Sequence, residues 1–279
     1  MRIDAHHHLW RYSTAEYGWI DDAMAPLRRD FLVPDLEAEL SKANVDAAIT
    51  VQARQTIEET SWLLDLANTT SSIAAVVGWL PIADDSFPAH LEKLRTHPKL
   101  KGLRHIVQAE PAGFLDDPAF NRGIAHLKSQ PNGLTYDILI FAHQLAEATR
   151  FVDRHPNQPI ILDHIAKPRI AAGEIKQWST QLRELARRPN ITCKLSGMVT
   201  EADPSNWTPA QLYPYFEVAL EAFTPHRLMI GTDWPICLLG CTYTQWWQTV
   251  EAWIAPLTPH EQSSILGQTA ARIYNLPQS

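Results

Sequence analysis

The sequence has few cysteines and no long hydrophobic run. Three of its 279 residues are cysteine, which is too few for a disulfide framework. Cys237 and Cys241 are four residues apart and could bind zinc or form a disulfide bridge, but no second cysteine pair accompanies them. We therefore expect reduced thiols and a cytoplasmic protein. No apolar stretch approaches the roughly 18 residues of a membrane helix. A strand-like run begins at residue 2, so we expect no secretory signal.

The sequence also lacks clustered positive charge and a phosphate-binding loop. Its 24 Lys and Arg against 31 Asp and Glu give a net charge of −7, and no basic run occurs, so we expect no nucleic-acid partner. No glycine-rich loop follows the first apolar run, which disfavours an open dinucleotide-binding sheet. What remains is a chain with 45% hydrophobic residues, enough for a substantial core.

Short apolar runs alternate with longer amphipathic segments along the whole chain. Eight such runs are typical of parallel strands buried on both faces. Alternation with about eight helical segments predicts an α/β fold, a single-domain (β/α)8 TIM barrel over residues 1–279. A doubly wound open sheet is the alternative. The predicted strands are residues 3–8, 47–52, 74–80, 102–107, 135–140, 160–164, 192–196 and 228–231.

Several helix starts carry recognisable signals. Thr56 and Glu59 have the spacing of a capping box, and Asp117 precedes a first-turn proline. The same devices recur at residues 208–209 and 258–261. Residues 11–34 show little periodicity, which predicts a long loop over the barrel mouth.

The first and last apolar runs end in groups that bind metals. His6 and His8 are two residues apart, so in a strand they point to the same face, and neutral imidazoles are good ligands for zinc and similar ions. Asp233 follows the last run. A closed barrel would bring the two ends together, at the mouth where such barrels place their active sites.

Other strand ends are also polar. Any one of these side chains is readily explained as a structural contact, but His6, His8, His164 and Asp233 together indicate a ligand or a metal. Lys194 is expected to polarise a carbonyl or to pair with Asp233, and only one of Arg104 and His105 should face the interior. The remaining polar groups are Gln52, Arg54, Tyr136, Asp137, Lys167 and Ser196.

Seven motifs in order resemble the amidohydrolase superfamily, and within it the lactonases of sugar acids and of pyrone dicarboxylate. The resemblance spans nearly the whole chain. The motifs are DAHHHLW at 4–10, VQA at 51–53 with ETSWLL at 59–64, VGW at 77–79, KGLRH at 101–105, LDHIAKP at 162–168, CKLSG at 193–197 and GTDWP at 231–235.

The resemblance implies hydrolysis of a small sugar-acid lactone by water, with Asp233 as general base. His6, His8 and Asp233 would hold one divalent ion, zinc or manganese, unless the enzyme works without metal. Arg104 and Lys194 would stabilise the oxyanion, with His164 positioning the carbonyl. No Lys or Glu stands at the fourth strand end to bridge two metals. The expected substrate contacts are Trp10, Gln52, Arg54, His105, Tyr136 and Trp234.

Two other functions fit the same motifs. A metal-dependent decarboxylase of an unsaturated or aromatic acid would share the His-x-His and Asp ends, although it would normally have a histidine at the fifth strand end. A barrel that only binds a ligand is the other alternative, because fold does not fix function. The sequence leaves open the sugar, its ring size and the assembly, with a homodimer as one option.

Overall fold

The strands close into one barrel, and the helices pack around it. The computed structural model describes residues 1–127 and 133–276, and its eight parallel strands pair in chain order. The ring closes where its two ends meet. The amide of His8 donates to the carbonyl of Trp234 at 2.7 Å, and the amide of Asp233 donates to the carbonyl of His6 at 2.8 Å. The predicted (β/α)8 barrel is confirmed.

All eight strands overlap their predicted ranges and are buried along almost their whole length. The strands are β1 (Ile3–His7), β2 (Ala47–Val51), β3 (Ile73–Gly78), β4 (Leu100–His105), β5 (Thr135–Ile138), β6 (Ile160–Leu162), β7 (Ile191–Leu195) and β8 (Leu228–Ile230). The helices are α1 (Val33–Ala43), α2 (Ile57–Thr69), α3 (Phe87–Leu94), α4 (Pro118–Leu127), α5 (Leu145–Arg154), α6 (Lys176–Ala186), α7 (Met198–Glu201), α8 (Pro209–Phe223), α9 (Tyr243–Ile254), α10 (Pro259–Ser263) and α11 (Thr269–Ile273). Within the described residues, none of the helices is both long enough and apolar enough to cross a membrane.

An irregularity in β1 aims its histidines into the barrel. The register between β1 and β2 shifts between Asp4 and His7, and the side chain of Ala5 lies in the interior apolar cluster. His6, the next residue, also faces the interior, whereas His7 turns outward to the Thr50 hydroxyl at 3.0 Å. A bulge of this kind re-aims side chains beside active sites. It places His6 above the apolar floor.

Four charged side chains fill the barrel interior above that floor. Lys194 Nζ donates to Asp137 Oδ2 at 2.6 Å, and Arg104 Nη1 donates to Asp163 Oδ2 at 3.1 Å. All four are at most 3% exposed. The hydroxyl of Tyr274, which follows α11, donates to Asp137 at 2.7 Å. Two cations and two carboxylates therefore compensate one another inside the barrel.

The helix starts largely follow the predictions. Thr56 caps α2 by accepting the amide of Glu59, but Glu59 does not complete a capping box. Its carboxylate turns back to accept the amides of Ala53 and Arg54, at 3.0 and 2.7 Å. Glu59 thereby organises the loop that leaves β2 for the mouth. A full capping box does form between Thr258 and Glu261 at the start of α10.

The segment after β1 forms a long loop over the barrel mouth, as predicted. Trp10 and Phe31 exchange backbone hydrogen bonds at 3.0 and 2.9 Å, so the residues between them form a closed loop with a single 3-10 turn, Asp22–Leu27. Trp19 on this loop is 45% exposed, and its ring meets that of Trp10 edge to face at 6.2 Å.

Candidate active site

Three histidines surround the carboxylate of Asp233 at the barrel mouth. Asp233 Oδ1 lies 3.7 Å from His6 Nε2, 3.4 Å from His8 Nε2 and 3.9 Å from His164 Nε2. The two nitrogens of His6 and His8 are themselves 3.2 Å apart. All four side chains are buried. Strands β1, β6 and β8 thus bring together residues that are up to 227 positions apart in the chain.

The hydrogen bonds of His8 and His164 leave their Nε2 atoms facing this centre. His8 Nδ1 lies 2.8 Å from the carbonyl of Val51, which can only accept, so Nδ1 carries the proton and Nε2 keeps its lone pair. His164 Nδ1 lies 2.8 Å from Ser196 Oγ. A hydrogen bond like that of His8 to the Val51 carbonyl, which fixes the tautomer, is usual for a histidine that binds a metal.

His6, His8 and Asp233 fit one divalent ion. Two imidazole nitrogens about 2.0–2.1 Å from one tetrahedral zinc lie roughly 3.3 Å apart, close to the 3.2 Å between His6 Nε2 and His8 Nε2. The ligand atoms of these three residues all lie within 4.8 Å of one another. Nitrogen with carboxylate oxygen is a donor set that suits zinc and manganese.

The surroundings set the charges of the cluster. Burial alone would raise the pKa of Asp233, but His164, His8 and His6 more than offset this and lower the pKa below its usual value. The carboxylate is therefore ionised. Burial lowers the pKa of His164 to about 4, against the opposing effect of Asp233, so its imidazole is neutral near neutral pH.

Behind the cluster, the buried charges hold His6 and Arg104 in place. His6 Nδ1 lies 3.2 Å from Lys194 Nζ and 3.4 Å from Asp163 Oδ1. Arg104 Nη1 lies 3.4 Å from His6 Nε2, and Gln52 holds the same guanidinium through Oε1 at 3.2 Å. Asp163 therefore contacts both His6 and the two interior cations.

A cavity of about 350 Å³ opens above this centre. It is lined by both polar and apolar groups. The polar residues are His8, Arg104, Gln108, His164, Lys167 and Asp233. The apolar residues are Trp10, Trp19, Ala53, Ile106, Ala109, Leu139 and Ile236. A mostly apolar wall with a few convergent polar groups is typical of a small-molecule site.

The structure corrects the expected positions of Lys194 and Gln52. Lys194 pairs with Asp137 and Asp163 rather than with Asp233, and it is fully buried. Neither Lys194 nor Gln52 is among the described residues that line the cavity. Both instead contact residues of the site from behind, Lys194 at His6 and Gln52 at Arg104.

Tyr136 and His105 are placed outside the cavity, contrary to expectation. Because side chains alternate along a strand, Asp137 faces the interior and Tyr136 faces the helices, where its ring packs against Phe120 and Phe151. His105 likewise faces out, while Arg104 faces in. The ring of His105 stacks on that of Phe114, with 4.8 Å between the ring centroids, and His105 Nε2 lies 2.8 Å from Glu110 Oε1.

Arg54 and Trp234 support the mouth from behind. The guanidinium of Arg54 pairs with Glu16 and lies 5.5 Å from the ring centre of Tyr17, both on the loop after β1. Trp234 is 2% exposed and packs against Phe31 at 5.2 Å. Neither lines the cavity among the described residues. Of the aromatic residues expected there, only Trp10 does.

Among the polar and aromatic residues that line the cavity, three were not assigned a role from the sequence: Trp19, Gln108 and Lys167. Trp19 lies in the aperiodic loop, where no pattern marks it. Gln108 follows β4, and its Oε1 is buried without a hydrogen-bond partner among the described residues. Lys167 stood among the polar strand ends but was given no function. A search for polar residues a few positions past each strand end would have found Gln108.

The cysteines are not part of this site. Cys193, Cys237 and Cys241 are free and buried, and burial raises the pKa of the Cys193 and Cys237 thiols. No described metal-binding cluster includes any of them.

Comparison with known proteins decides the family. The family model described as "Amidohydrolase" matches residues 3–276. The chain belongs to the amidohydrolase family. The resemblance inferred from the seven motifs is thereby confirmed.

Two curated relatives match this amidohydrolase over its length. The L-fucono-1,5-lactonase of Burkholderia multivorans is 41% identical over 290 aligned residues, which cover 100% of this chain and 97% of the relative. The L-fucono-1,5-lactonase of Burkholderia ambifaria is 33% identical and covers 99% of this chain and 96% of the relative. Both relatives are hydrolases of a lactone ester.

A solved structure of similar sequence contains a metal. An amidohydrolase from Burkholderia multivorans with bound zinc superposes with a TM-score of 0.96 at 40% identity, covering 99% of this chain and 100% of that chain. That zinc, together with the donor set of His6, His8 and Asp233, supports the predicted divalent ion.

Proposed function

We propose that this amidohydrolase hydrolyses a sugar-acid lactone of the L-fucono-1,5-lactone type to the open-chain acid. The observation that carries the proposal is Asp233, an ionised carboxylate within 3.9 Å of three histidines at the base of a cavity of about 350 Å³. That volume suits a small ring. The curated relatives agree with the prediction of a sugar-acid lactonase made from the motifs.

Asp233 is the general base in this reaction. Water attacks the ring carbonyl carbon while the Asp233 carboxylate takes one of its protons, an effect worth about 10²–10⁴-fold in rate. Arg104 lines the cavity, with its Nη1 3.4 Å from His6 Nε2, and in this proposal its guanidinium stabilises the negative charge that develops on the carbonyl oxygen. A divalent ion held by His6, His8 and Asp233 would supply carbonyl polarisation and a bound water of lowered pKa.

Gln108, Trp10 and Trp19 recognise the sugar ring in this proposal. A buried acceptor without a partner is costly, so Gln108 Oε1 is suited to a substrate hydroxyl. The two tryptophan rings give the cavity an aromatic wall suited to the C–H face of a sugar. The apolar side chains of Leu139 and Ile236, which also line the cavity, are suited to contact a part of the ring that carries no hydroxyl.

We also propose that the enzyme works in a reducing compartment such as the cytoplasm. Its three cysteines are free thiols, and disulfides are rare in such compartments. Fractionation of cells that carry a tagged chain tests this, and recovery outside the cytoplasm would contradict it.

The test of the proposed function is acid release from a panel of aldonolactones. L-fucono-, L-rhamnono- and L-galactono-lactones in both ring sizes, with 2-pyrone-4,6-dicarboxylate, are assayed with the protein as purified, after chelation, and after zinc or manganese is added back. We expect turnover of at least one 1,5-lactone of a sugar acid. Absence of turnover for every lactone under all three conditions would overturn the proposal.

A further inference from the structure

The turn that follows β6 has an unusual backbone. Residues 164–167 are four successive non-glycine residues with φ of 53°, 47°, 61° and 46°. For L-residues this left-handed conformation is unfavourable, and such strain is concentrated at functional sites. Ile165 and Ala166, in the middle of the turn, are fully buried, and Trp178 Nε1 donates to the carbonyl of Ile165 at 2.8 Å.

The turn brings two side chains to the same cavity. The first residue of the turn, His164, has its Nε2 3.9 Å from Asp233 Oδ1. The last residue, Lys167, lines the same cavity as His164 and Asp233. An ordinary right-handed turn would point these side chains elsewhere. The strain in this turn therefore coincides with the placement of an ammonium group in the cavity that the general base also lines.

Lys167 is loosely held by its neighbours. Its Nζ lies 3.8 Å from Glu201 Oε1, at the limit of an ion pair, and 5.7 Å from the ring centre of Phe141. Its side chain is 18% exposed. Lys194, by contrast, is fully buried and lies within 3.2 Å of three partners. The ammonium of Lys167 therefore retains donors for a substrate oxygen.

The other described polar groups that line the cavity are poorly suited to give up a proton. Arg104 does not deprotonate in proteins and is held by Asp163 and Gln52. The nitrogens of His164 and His8 already face Ser196, Val51 and Asp233. Gln108 is not an acid. Lys167 remains as the lining residue that can give up a proton, whereas Asp233, as the base, takes one up.

We propose that Lys167 is the general acid that protonates the ring oxygen as the lactone opens, an inference that rests on the proposed lactonase activity. Water oxygen bonds to the carbonyl carbon, and one water proton passes to Asp233. The bond between that carbon and the ring oxygen then breaks, and its electron pair takes a proton from Lys167 Nζ. The product acid releases its proton, Asp233 releases one to solvent, and Lys167 regains one from solvent.

The physical reason is the basicity of the leaving group. The alkoxide of a sugar is a far stronger base than the amine of lysine, so proton transfer from the ammonium is downhill and removes the charge on the departing oxygen. The rival route has protonated Asp233 return its proton to the ring oxygen. That route needs no ammonium.

The test compares a lactone whose leaving group needs a proton with one whose leaving group does not. The first is the best aldonolactone found for the wild type, and the second is dihydrocoumarin, whose phenolate leaves without help. Lys167→Met should lower kcat on the aldonolactone by about 10²–10³-fold, with KM within threefold. Its kcat on dihydrocoumarin should fall less than tenfold.

Chemical restoration gives a second readout that a structural role would not move. Lys167→Cys treated with 2-bromoethylamine regains an ammonium of nearly the same reach, and we expect at least tenfold recovery of kcat on the aldonolactone. Treated wild type is the reference, since its own three cysteines are buried. Arg169→Met is the matched control, because it removes a cation two residues away that is paired with Glu174 on the surface.

The outcomes separate the two proposals. A wild type that opens no lactone overturns both. An active wild type with unchanged kcat in Lys167→Met overturns only the role of Lys167. Equal losses on the aldonolactone and dihydrocoumarin, or no recovery after aminoethylation, would also overturn it. If wild type does not accept dihydrocoumarin, recovery on the aldonolactone alone decides.

Discussion

Asp233 occupies a backbone conformation that few non-glycine residues adopt, with φ of 58°. Its amide is tied to the carbonyl of His6, and its carboxylate faces the three histidines. At this scale, the site depends on one side chain whose charge and direction are both fixed by its surroundings. Tyr136, by contrast, lies within β5, and its side chain points away from the site to the helices.

Replacement of Asp233 by Asn should remove most of the turnover while the fold persists. The amide has nearly the same shape but cannot take a proton from water, so we expect kcat to fall by about 10²–10⁴-fold. Steady-state kinetics on the best lactone measure this, with a circular dichroism melt to check folding. Tyr136→Phe is the control and should keep kcat/KM within twofold. Near-normal kcat/KM in Asp233→Asn would remove Asp233 from the role of base.

Among the elements, the turns after β7 and β8 pass close to His164 and His6. A Cβ on Gly197 would lie 2.8 Å from the ring of His164, and a Cβ on Gly231 would lie 2.7 Å from Cβ of His6. Both distances are below ordinary contact. The absence of a side chain at these two positions therefore sets where the histidines stand.

Substitution of Gly197 by Ala should displace His164 and lower kcat/KM by at least tenfold. Gly173→Ala is a matched control, because Gly173 has φ of 68° against 67° for Gly197 but has nothing within 4 Å of its added Cβ. Both variants should lose about 1 kcal/mol of stability from the positive φ. Kinetics and thermal melts of the pair separate the two effects. Equal kcat/KM in both variants would show that the contact with His164 is unimportant.

The loop after β2 depends on a buried carboxylate. Glu59 is fully buried, where it accepts the amides of Ala53 and Arg54 and a hydrogen bond from the hydroxyl of Tyr17. Burial raises its pKa to about 7, despite the opposing effect of Arg54. The folded state therefore holds the proton more tightly than the unfolded state does.

This shift makes the contribution of Glu59 to stability fall as pH rises. The loss begins near the unfolded pKa of about 4.5 and is complete above about 7, and it amounts to roughly 3 kcal/mol. Glu59→Gln lacks this titration. Urea unfolding of both proteins from pH 4 to pH 8 should show wild type losing about that much stability relative to the variant. A constant difference across this range would contradict the assignment.

At the scale of the whole molecule, a charge network joins distant parts of the chain inside the barrel. Lys194 on β7 contacts Asp137 on β5 and Asp163 after β6, and Tyr274 near the end of the chain joins them through Asp137. Every member is at most 3% exposed. The network links the fold of the C-terminal segment to the position of His6.

Removal of Lys194 should destabilise the whole barrel. Lys194→Met leaves two buried carboxylates with one fewer cation, which costs about 3–5 kcal/mol. Urea unfolding measures the loss. In the double variant with Asp137→Asn, which removes one of the uncompensated charges, part of the stability should return. Additive losses in the double variant would show that the two groups do not compensate each other.

The sequence by itself determined the barrel and most of the histidine centre. Eight apolar runs of strand length and the spacing of His6 and His8 are local patterns, and periodicity of two or of 3.6 residues can be read from a single chain. Asp233 and His164 were also marked by their places at strand ends. The seven motifs then indicated the family.

Only the tertiary structure decided which polar groups reach the cavity. The bulge in β1, the left-handed turn at residues 164–167 and the outward direction of Tyr136 and His105 depend on packing between strands and helices that are far apart in sequence. Lys194 also follows this rule, because its partners come from β5 and the end of β6 rather than from Asp233. Trp19 and Gln108 lie in segments without periodicity, so their place in the cavity follows from how these segments close over the barrel.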